Sequence, residues 1–318
     1  MCSSDLKWKG VHTRCAFNMI QELIPLTRPR TLAAALGPTI LGAAFSYYAF
    51  GAAQGTGLAI LHTVLIFLAV VTAQIVANLW NEYKDFKSGL DAGQKVGNAG
   101  SITRGVITPE LIITMIKALM FVPIIIGLYL SATITWYYIP VGFLCILISF
   151  LYSGGPKPIS RTPFGEISSG IAMGFAIVLI TGYAWTRELS LALLIPAISS
   201  TLLVGSIMLT NNIRDIRNDE SHGRHTLPIV LGRERALSLM SISYIFNFIW
   251  IIAWIIVGHM TWFALLAFLA APLAFKTIHT LSTNTDEFQL DKAMGTTAGA
   301  AMIYQLMWAI GLIMGKLF

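Results

Sequence analysis

Two polar stretches, "NEYKDFKSGLDAG" over residues 81–93 and "NNIRDIRNDESHGRHTL" over 211–227, each follow directly on a long apolar run. On a helix that continues a turn or two past "ANLW", Asn78, then Asn81 or Glu82, then Asp85 fall at i, i+3 or i+4, and i+7 along one face. Asn211, Asp215 and Asp219 repeat the arrangement at i, i+4 and i+8, and Asp91 closes the first stretch. Each column offers oxygen donors and neither thiols nor paired histidines. Such donors suit magnesium, which takes one or two carboxylates, keeps waters and shares the rest of its shell with substrate phosphates. One column at a membrane surface is adequately read as solvated side chains. Two at matching places repel each other unless cations stand between them, and a magnesium-bound diphosphate supplies both the cations and a bridging anion.

Basic residues suited to that anion lie nearby. "SGGPKPISRTPFGE" (153–166) sets Lys157 and Arg161 in a turn stiffened by glycine and proline. Arg224 follows the second column in "HGRHTL", Arg104 follows the first in "SITRGVI", and Arg28 and Arg30 flank Pro29. Arginine clamps phosphate with two parallel donors, whereas lysine acts as a point charge. Taken singly, each is better explained as a charge that orients the chain in a membrane. Taken with the acids, Arg28, Lys157, Arg161 and Arg224 are the candidate diphosphate ligands. His222 and His225 lack the i, i+4 spacing of a helical zinc pair and read as solvated.

The elements that must carry these residues are membrane helices. Of 318 residues only 11% are charged, and mean hydropathy is +0.72, whereas soluble chains carry roughly a quarter charged residues. About 20 apolar residues span a bilayer core as a helix, satisfying their own backbone hydrogen bonds. Nine runs qualify: 31–50, 58–80, 111–131, 134–152, 165–185, 189–210, 236–257, 260–279 and 296–315. The expected fold is all-α, a polytopic bundle of nine transmembrane helices. Residues 1–22 are expected to be a cytoplasmic N-terminal segment, without the apolar stretch of a signal peptide, and residues 23–318 to form the membrane domain. Pro38, Pro123, Pro140, Pro196 and Pro272 fall within the runs, where kinks are tolerated. Cys2, Cys15 and Cys145 form neither a disulfide framework nor a metal-ligand spacing.

The net charge of +6 is distributed as membrane orientation requires, which argues against a nucleic-acid partner. Lys and Arg concentrate in the N-terminal segment and in alternate loops, those holding both polar stretches among them. The positive-inside rule therefore places the N-terminus and the polar loops in the cytoplasm and the C-terminus outside. The two columns recur four helices apart, a hint of duplication. A secondary transporter would also show repeated halves, but its charges or broken helices would lie near the bilayer midplane, not at helix ends on one side. A binding or scaffold protein would need no paired acid columns.

These residues resemble a known family. "NEYKDFKSGLD" is similar to the first aspartate-rich motif of the UbiA superfamily of intramembrane prenyltransferases, and "NNIRDIRNDESHGRHTLPIVLG" to the second. The second is most like the MenA branch, the 1,4-dihydroxy-2-naphthoate polyprenyltransferases. "LTRPRTLAAALGPTILG" and "YSGGPKPISRTPFGE" sit where that branch carries its Arg-Pro segment and Gly-Gly-Pro loop. Glu82 stands where many members have Asp, and Pro163 interrupts a stretch that often contains Gly. The resemblance implies a bundle around a central cavity capped by cytoplasmic loops, in the inner membrane of a prokaryotic cell. It makes Asn81, Asp85, Asp215 and Asp219 the metal-binding residues, of which Asp85, Asp215 and Asp219 are catalytic; Asn78, Glu82, Asp91, Arg104 and Asn211 are further candidates for the site.

The implied reaction is magnesium-dependent. A polyprenyl diphosphate ionises at its allylic carbon–oxygen bond, and the cation is attacked by dihydroxynaphthoate, which loses its carboxylate and yields demethylmenaquinone, a step of menaquinone biosynthesis. Sister branches prenylate 4-hydroxybenzoate, homogentisate, haem, a chlorophyllide or a glycerol ether, and these acceptors stay open. A membrane site suits the donor, since each buried methylene gains about 0.8 kcal/mol.

Overall fold

The computed structural model describes residues 23–90 and 100–318. Among the described residues every regular element is helical. The expected segment 1–22 and Asp91 lie outside them. After a 3-10 turn at Pro29–Leu32 come α1 (Ala33–Phe50), α2 (Thr56–Ser88), α3 (Pro109–Thr133) and α4 (Tyr138–Ser153). Then follow α5 (Gly165–Thr186), α6 (Leu191–Ser221), α7 (Arg233–Ile256), α8 (Trp262–Thr283) and α9 (Glu287–Leu317). Eight of these are long and apolar enough to cross a membrane; the ninth expected segment is the 16-residue α4.

Three helices run well past the expected apolar spans. α2 has 33 residues, and α6 and α9 each have 31, about 46–50 Å of helix against a hydrocarbon core of about 30 Å. The excess carries the polar stretches: α2 continues past "ANLW" through Asp85, and α6 continues through Asp219. α9 begins at Glu287, nine residues earlier than its apolar run, because the side chain of Asp286 caps the Gln289 amide at 3.1 Å. α2 ends where Gly89 takes the left-handed conformation (φ 75°). Only Pro38 and Pro123 interrupt helix interiors. Pro140 sits in the first turn of α4, and Pro196 and Pro272 lie where the 3-10 openings of α6 (Leu191–Leu193) and α8 (Trp262–Ala270) pass into α-helix.

α3 has only 11% of its apolar window buried. It shows Phe121 and Ile125 outward, as α4 shows Phe143 and Leu144; such surfaces fit lipid and not water. The main core joins α1, α6, α7, α8 and α9 around Phe45, Met240, Tyr304 and Trp308. Polar pairs cross it, among them Thr210–Thr297 at 2.9 Å, Ser200–Gln305 at 2.9 Å and the Tyr304 hydroxyl donating to the Asn247 carbonyl at 2.6 Å, the interhelical bonds available where water is absent.

α5 contains a π-helical turn over Gly170–Phe175. It coincides with a close helix crossing: a Cβ on Gly174 would lie 2.6 Å from backbone atoms of Ser200 and Thr201 on α6. π-turns recur at functional sites, and this one presents Ala172 and Met173 to the cavity described below. Gly174→Val is expected to push α5 off α6 and destabilise the purified protein by about 1–3 kcal/mol. Gly127→Ala, on α3 with nothing within 4 Å of the added carbon, is the matched control, expected to be neutral or stabilising. Thermal unfolding in detergent reads both, and equal melting temperatures for the two variants would contradict this packing account.

Candidate active site

α1, α2, α4, α5, α6 and α9 enclose a cavity of about 200 Å³. Both acid columns open into it. From α2 come Asn78, Asn81 and Asp85, and from α6 come Asn211, Asp215 and Asp219. The helical spacing read from the sequence thus brings the two columns to one chamber. On its membrane side the wall turns apolar, with Ile148, Ala172, Met173, Val204, Ile207 and Met208.

Each column is held by side chains from distant segments. Asn78 Nδ2 donates to the Thr27 carbonyl at 2.9 Å, tying the segment before α1 to α2. The Ser153 hydroxyl, at the end of α4, donates to Asn81 Oδ1. Asn212 donates to Glu166 Oε1 at 2.8 Å, fixing the base of α5 against α6. Trp80 Nε1 donates to the Phe150 carbonyl at 3.0 Å beside Gly154, where a Cβ would meet the indole nitrogen at 3.1 Å. The Gly-Gly-Pro loop therefore starts where the Phe150 carbonyl oxygen, 2.7 Å from such a Cβ, and the indole together leave no room for a side chain.

The acids are separated by guanidinium groups. Arg224 reaches Asp85 on α2 at 2.9 Å and Asp219 on α6 at 3.3 Å, bridging the columns. Arg214 forks onto Asp215, with Nε and Nη2 each 2.7 Å from a carboxylate oxygen. It also contacts Asn211 at 2.9 Å and Asp291 on α9 at 2.9 Å. Asp291 binds Arg30 at 2.7 Å. Arg28, whose φ of 50° is left-handed, lines the same cavity. Charge on Arg28 and Arg161 also acts on Asp85.

Several sequence candidates stand elsewhere. Glu82 is 1% exposed and does not line the cavity. Its two oxygens accept from the Gly100 and Ile102 amides at 3.2 and 3.3 Å, so it anchors the returning loop. Helix geometry explains this, since Glu82 lies one residue, about 100°, round from Asn81. Lys157 is exposed and outside the lining, as is Arg104, whose guanidinium donates to Ser101 at 3.2 Å. Arg161 stays outside the lining too, though its carbonyl accepts from the His225 amide at 3.0 Å and joins the two loops. Three charged lining residues were not singled out from the sequence: Arg214, Asp291 and Arg30, the last noted only as a neighbour of Pro29. Asp291 was hidden because the apolar run marks α9 only from residue 296.

Among the described residues no three carboxylate, imidazole or thiol side chains close on one point. Magnesium does not need three, given substrate oxygens and water. Asp219 Oδ2 is buried without a hydrogen-bond partner in this chamber, the kind of orphaned oxygen that a hard cation satisfies. The donor set of carboxylates and amide oxygens fits such an ion.

Comparison with known proteins identifies the family and the fold. The model of the UbiA prenyltransferase family matches residues 35–310. The chain is 34% identical over 300 residues to the 1,4-dihydroxy-2-naphthoate octaprenyltransferase of Bacillus subtilis (strain 168), covering 93% of each. It is 26% identical to the protein of the same name from Escherichia coli (strain K12), covering 93% of this chain and 96% of that one. The fold matches the apo UbiA homolog from Aeropyrum pernix K1 with TM-score 0.67, at 18% identity over 89% of this chain and 97% of that one. It also matches a UbiA homolog from Archaeoglobus fulgidus bound to DMAPP and Mg2+, with TM-score 0.59, at 17% identity over 91% and 99%. With two acid columns facing one cavity in an all-helical membrane bundle, and a family match spanning nearly its whole length, this chain belongs to the UbiA prenyltransferase family of integral membrane enzymes.

Proposed function

We propose that this prenyltransferase moves a polyprenyl group from its diphosphate to 1,4-dihydroxy-2-naphthoate, in the pathway to menaquinone. The observation that carries the reading is a chamber with two acid columns at one end and an apolar wall at the other. A phosphorylated head and an isoprenoid tail need those two environments side by side. Full-length similarity to 1,4-dihydroxy-2-naphthoate octaprenyltransferases supports the acceptor. The relative bound to DMAPP and Mg2+ supports magnesium as cofactor.

Asn81, Asp85, Asp215 and Asp219 would hold the metal. Magnesium supplies Lewis-acid neutralisation of charge developing on the diphosphate. Arg28 and Arg224 hold diphosphate oxygens by paired donors. As the allylic carbon–oxygen bond breaks, its electron pair leaves on the diphosphate, which these guanidiniums stabilise. Ile207, Met208 and Met173 line the way for the tail and exclude water from the allylic cation. When the new carbon–carbon bond forms at the carboxylate-bearing ring carbon, carbon dioxide departs in place of a ring proton. No oxidant enters, so the ring leaves as demethylmenaquinol, the reduced form of demethylmenaquinone. A base is not required, which accords with a described lining that holds neither His, Lys nor Glu.

The positive-inside rule supports a cytoplasmic mouth for the cavity, with the N-terminus on that side and the C-terminus outside. The bacterial relatives support the inner membrane of a prokaryotic cell.

Membranes containing the protein, incubated with magnesium, a labelled polyprenyl diphosphate and a panel of aromatic acceptors, are expected to convert dihydroxynaphthoate; conversion of hydroxybenzoate or homogentisate instead would overturn the acceptor. Asp85→Ala and Asp215→Ala are each expected to abolish turnover while membrane insertion persists, and unchanged product in either would remove the metal assignment. Glu82→Gln separates anchoring from ligation. It puts an NH2 against a backbone amide and is expected to cost about 1–3 kcal/mol in stability, with turnover per folded molecule near wild type; loss of turnover without loss of stability would restore Glu82 to the metal set.

A further inference from the structure

Among the described residues the charged groups lining the cavity balance: Asp85, Asp215, Asp219 and Asp291 face Arg28, Arg30, Arg214 and Arg224. Two of those arginines sit directly on the candidate metal ligands. Arg224 spans Asp85 and Asp219, and Arg214 occupies both oxygens of Asp215. These pairs are largely withdrawn from water, with side chains 8% and 16% exposed for Arg214–Asp215 and 13% and 3% for Arg224–Asp219. Screening is therefore weak and the carboxylates hold strong counter-ions of their own. A divalent cation entering alone adds uncompensated positive charge, and beyond the unpaired Oδ2 of Asp219 it meets carboxylate oxygens that guanidiniums already hold. A diphosphate entering alone finds Arg214 and Arg224 engaged with carboxylates, save the unpaired Nε of Arg224. The two together satisfy every group.

We propose that Arg224 and Arg214 are resident counter-ions that hand over: each yields its carboxylate to the metal and turns its donors to the diphosphate, so that metal and diphosphate each raise the other's affinity. Asp291 makes the handover possible for Arg214. Its carboxylate contacts Arg214 at 2.9 Å on a nitrogen, Nη1, that Asp215 does not use. Arg214 thus keeps a charged partner on α9 when it releases α6. The inference rests on the assignment of Asp85, Asp215 and Asp219 as metal ligands and adds a prediction of opposite sign to a plain ligand role. If arginine competes with metal, its removal must tighten metal binding.

The test uses the full-length protein in detergent, with Mn2+ alone titrated by electron paramagnetic resonance and no diphosphate present. Arg224→Gln is expected to bind Mn2+ about tenfold more tightly than wild type, the scale of losing one close like charge in a partly screened site. Arg224→Lys, which keeps the charge, is expected to stay near wild type. From the other side, Asp219→Asn is expected to tighten binding of inorganic diphosphate in the presence of a chelator, because Arg224 is freed; this arm also serves if Arg224→Gln fails to fold. Mn2+ binding that Asp85→Ala abolishes, but that Arg224→Gln leaves unchanged or weakens, would overturn the handover and leave the ligand assignment standing. Mn2+ binding indifferent to Asp85→Ala and Asp215→Ala would overturn the ligand assignment and the handover with it.

Discussion

Carboxylates drawn partly out of water must have cations close by. Burying an unpaired carboxylate costs several kcal/mol, by order of magnitude, and breaking one partner from a buried pair costs about 3–5 kcal/mol. Asp85, Asp215 and Asp219 are brought into one chamber by α2 and α6, and the geometry of that chamber is organised around neutralising them. Arg224 comes from the loop after α6, Arg214 from within α6, and Arg30 from ahead of α1, with Asp291 of α9 between the last two. Segments separated by up to 261 residues meet there, as Arg30 and Asp291 do.

The bundle beneath has a different logic. Its helices pack through small residues, apolar side chains and interhelical hydrogen bonds, with Gly174 of α5 against α6 and Gly311 of α9 against the backbone of Phe263 on α8 as close approaches. These contacts set the distance between helix axes but carry no chemistry. Helix length connects the two regimes. Because α2 and α6 outrun the hydrocarbon core, their last turns lie where a carboxylate can meet both an aqueous ion and an apolar tail. A transporter would place its charges near the midplane, between helices that must open alternately to both sides. Here the charged lining gathers at the ends of α2 and α6, which suits chemistry on a lipid-dissolved donor.

Much of this was legible in the sequence, because membrane helices announce themselves by length and hydropathy and because i, i+4 spacing survives any packing. Eight of the nine expected spans, the two columns and their helical continuation were readable, while α4 has only 16 residues. Glu82 shows the limit: it shares the polar stretch and the charge of its neighbours, but one residue of helix rotation sends it to the Gly100 and Ile102 amides and not to the cavity. Lys157 shows another, since a basic residue in the right loop still points to solvent unless something turns it inward. Asp291 and Arg214 escaped because their meaning lies in pairing across 77 residues, which no local pattern encodes.

Stability and reactivity at this rim draw on the same contacts. Surface ion pairs contribute little, about 0–1 kcal/mol each, because water screens them and long side chains lose entropy. Arg30–Asp291, with the arginine half exposed, is of that kind. The Arg214–Asp215 and Arg224–Asp219 pairs are not, being nearly enclosed. An enclosed pair that also serves as a ligand site has a built-in conflict: the tighter it holds itself, the less it offers to a metal. Asp219 eases that conflict, since one oxygen meets Arg224 while the other stays buried and unpaired. A carboxylate half committed to the fold and half uncommitted is what a site needs if it is to remain assembled without its ions and still bind them.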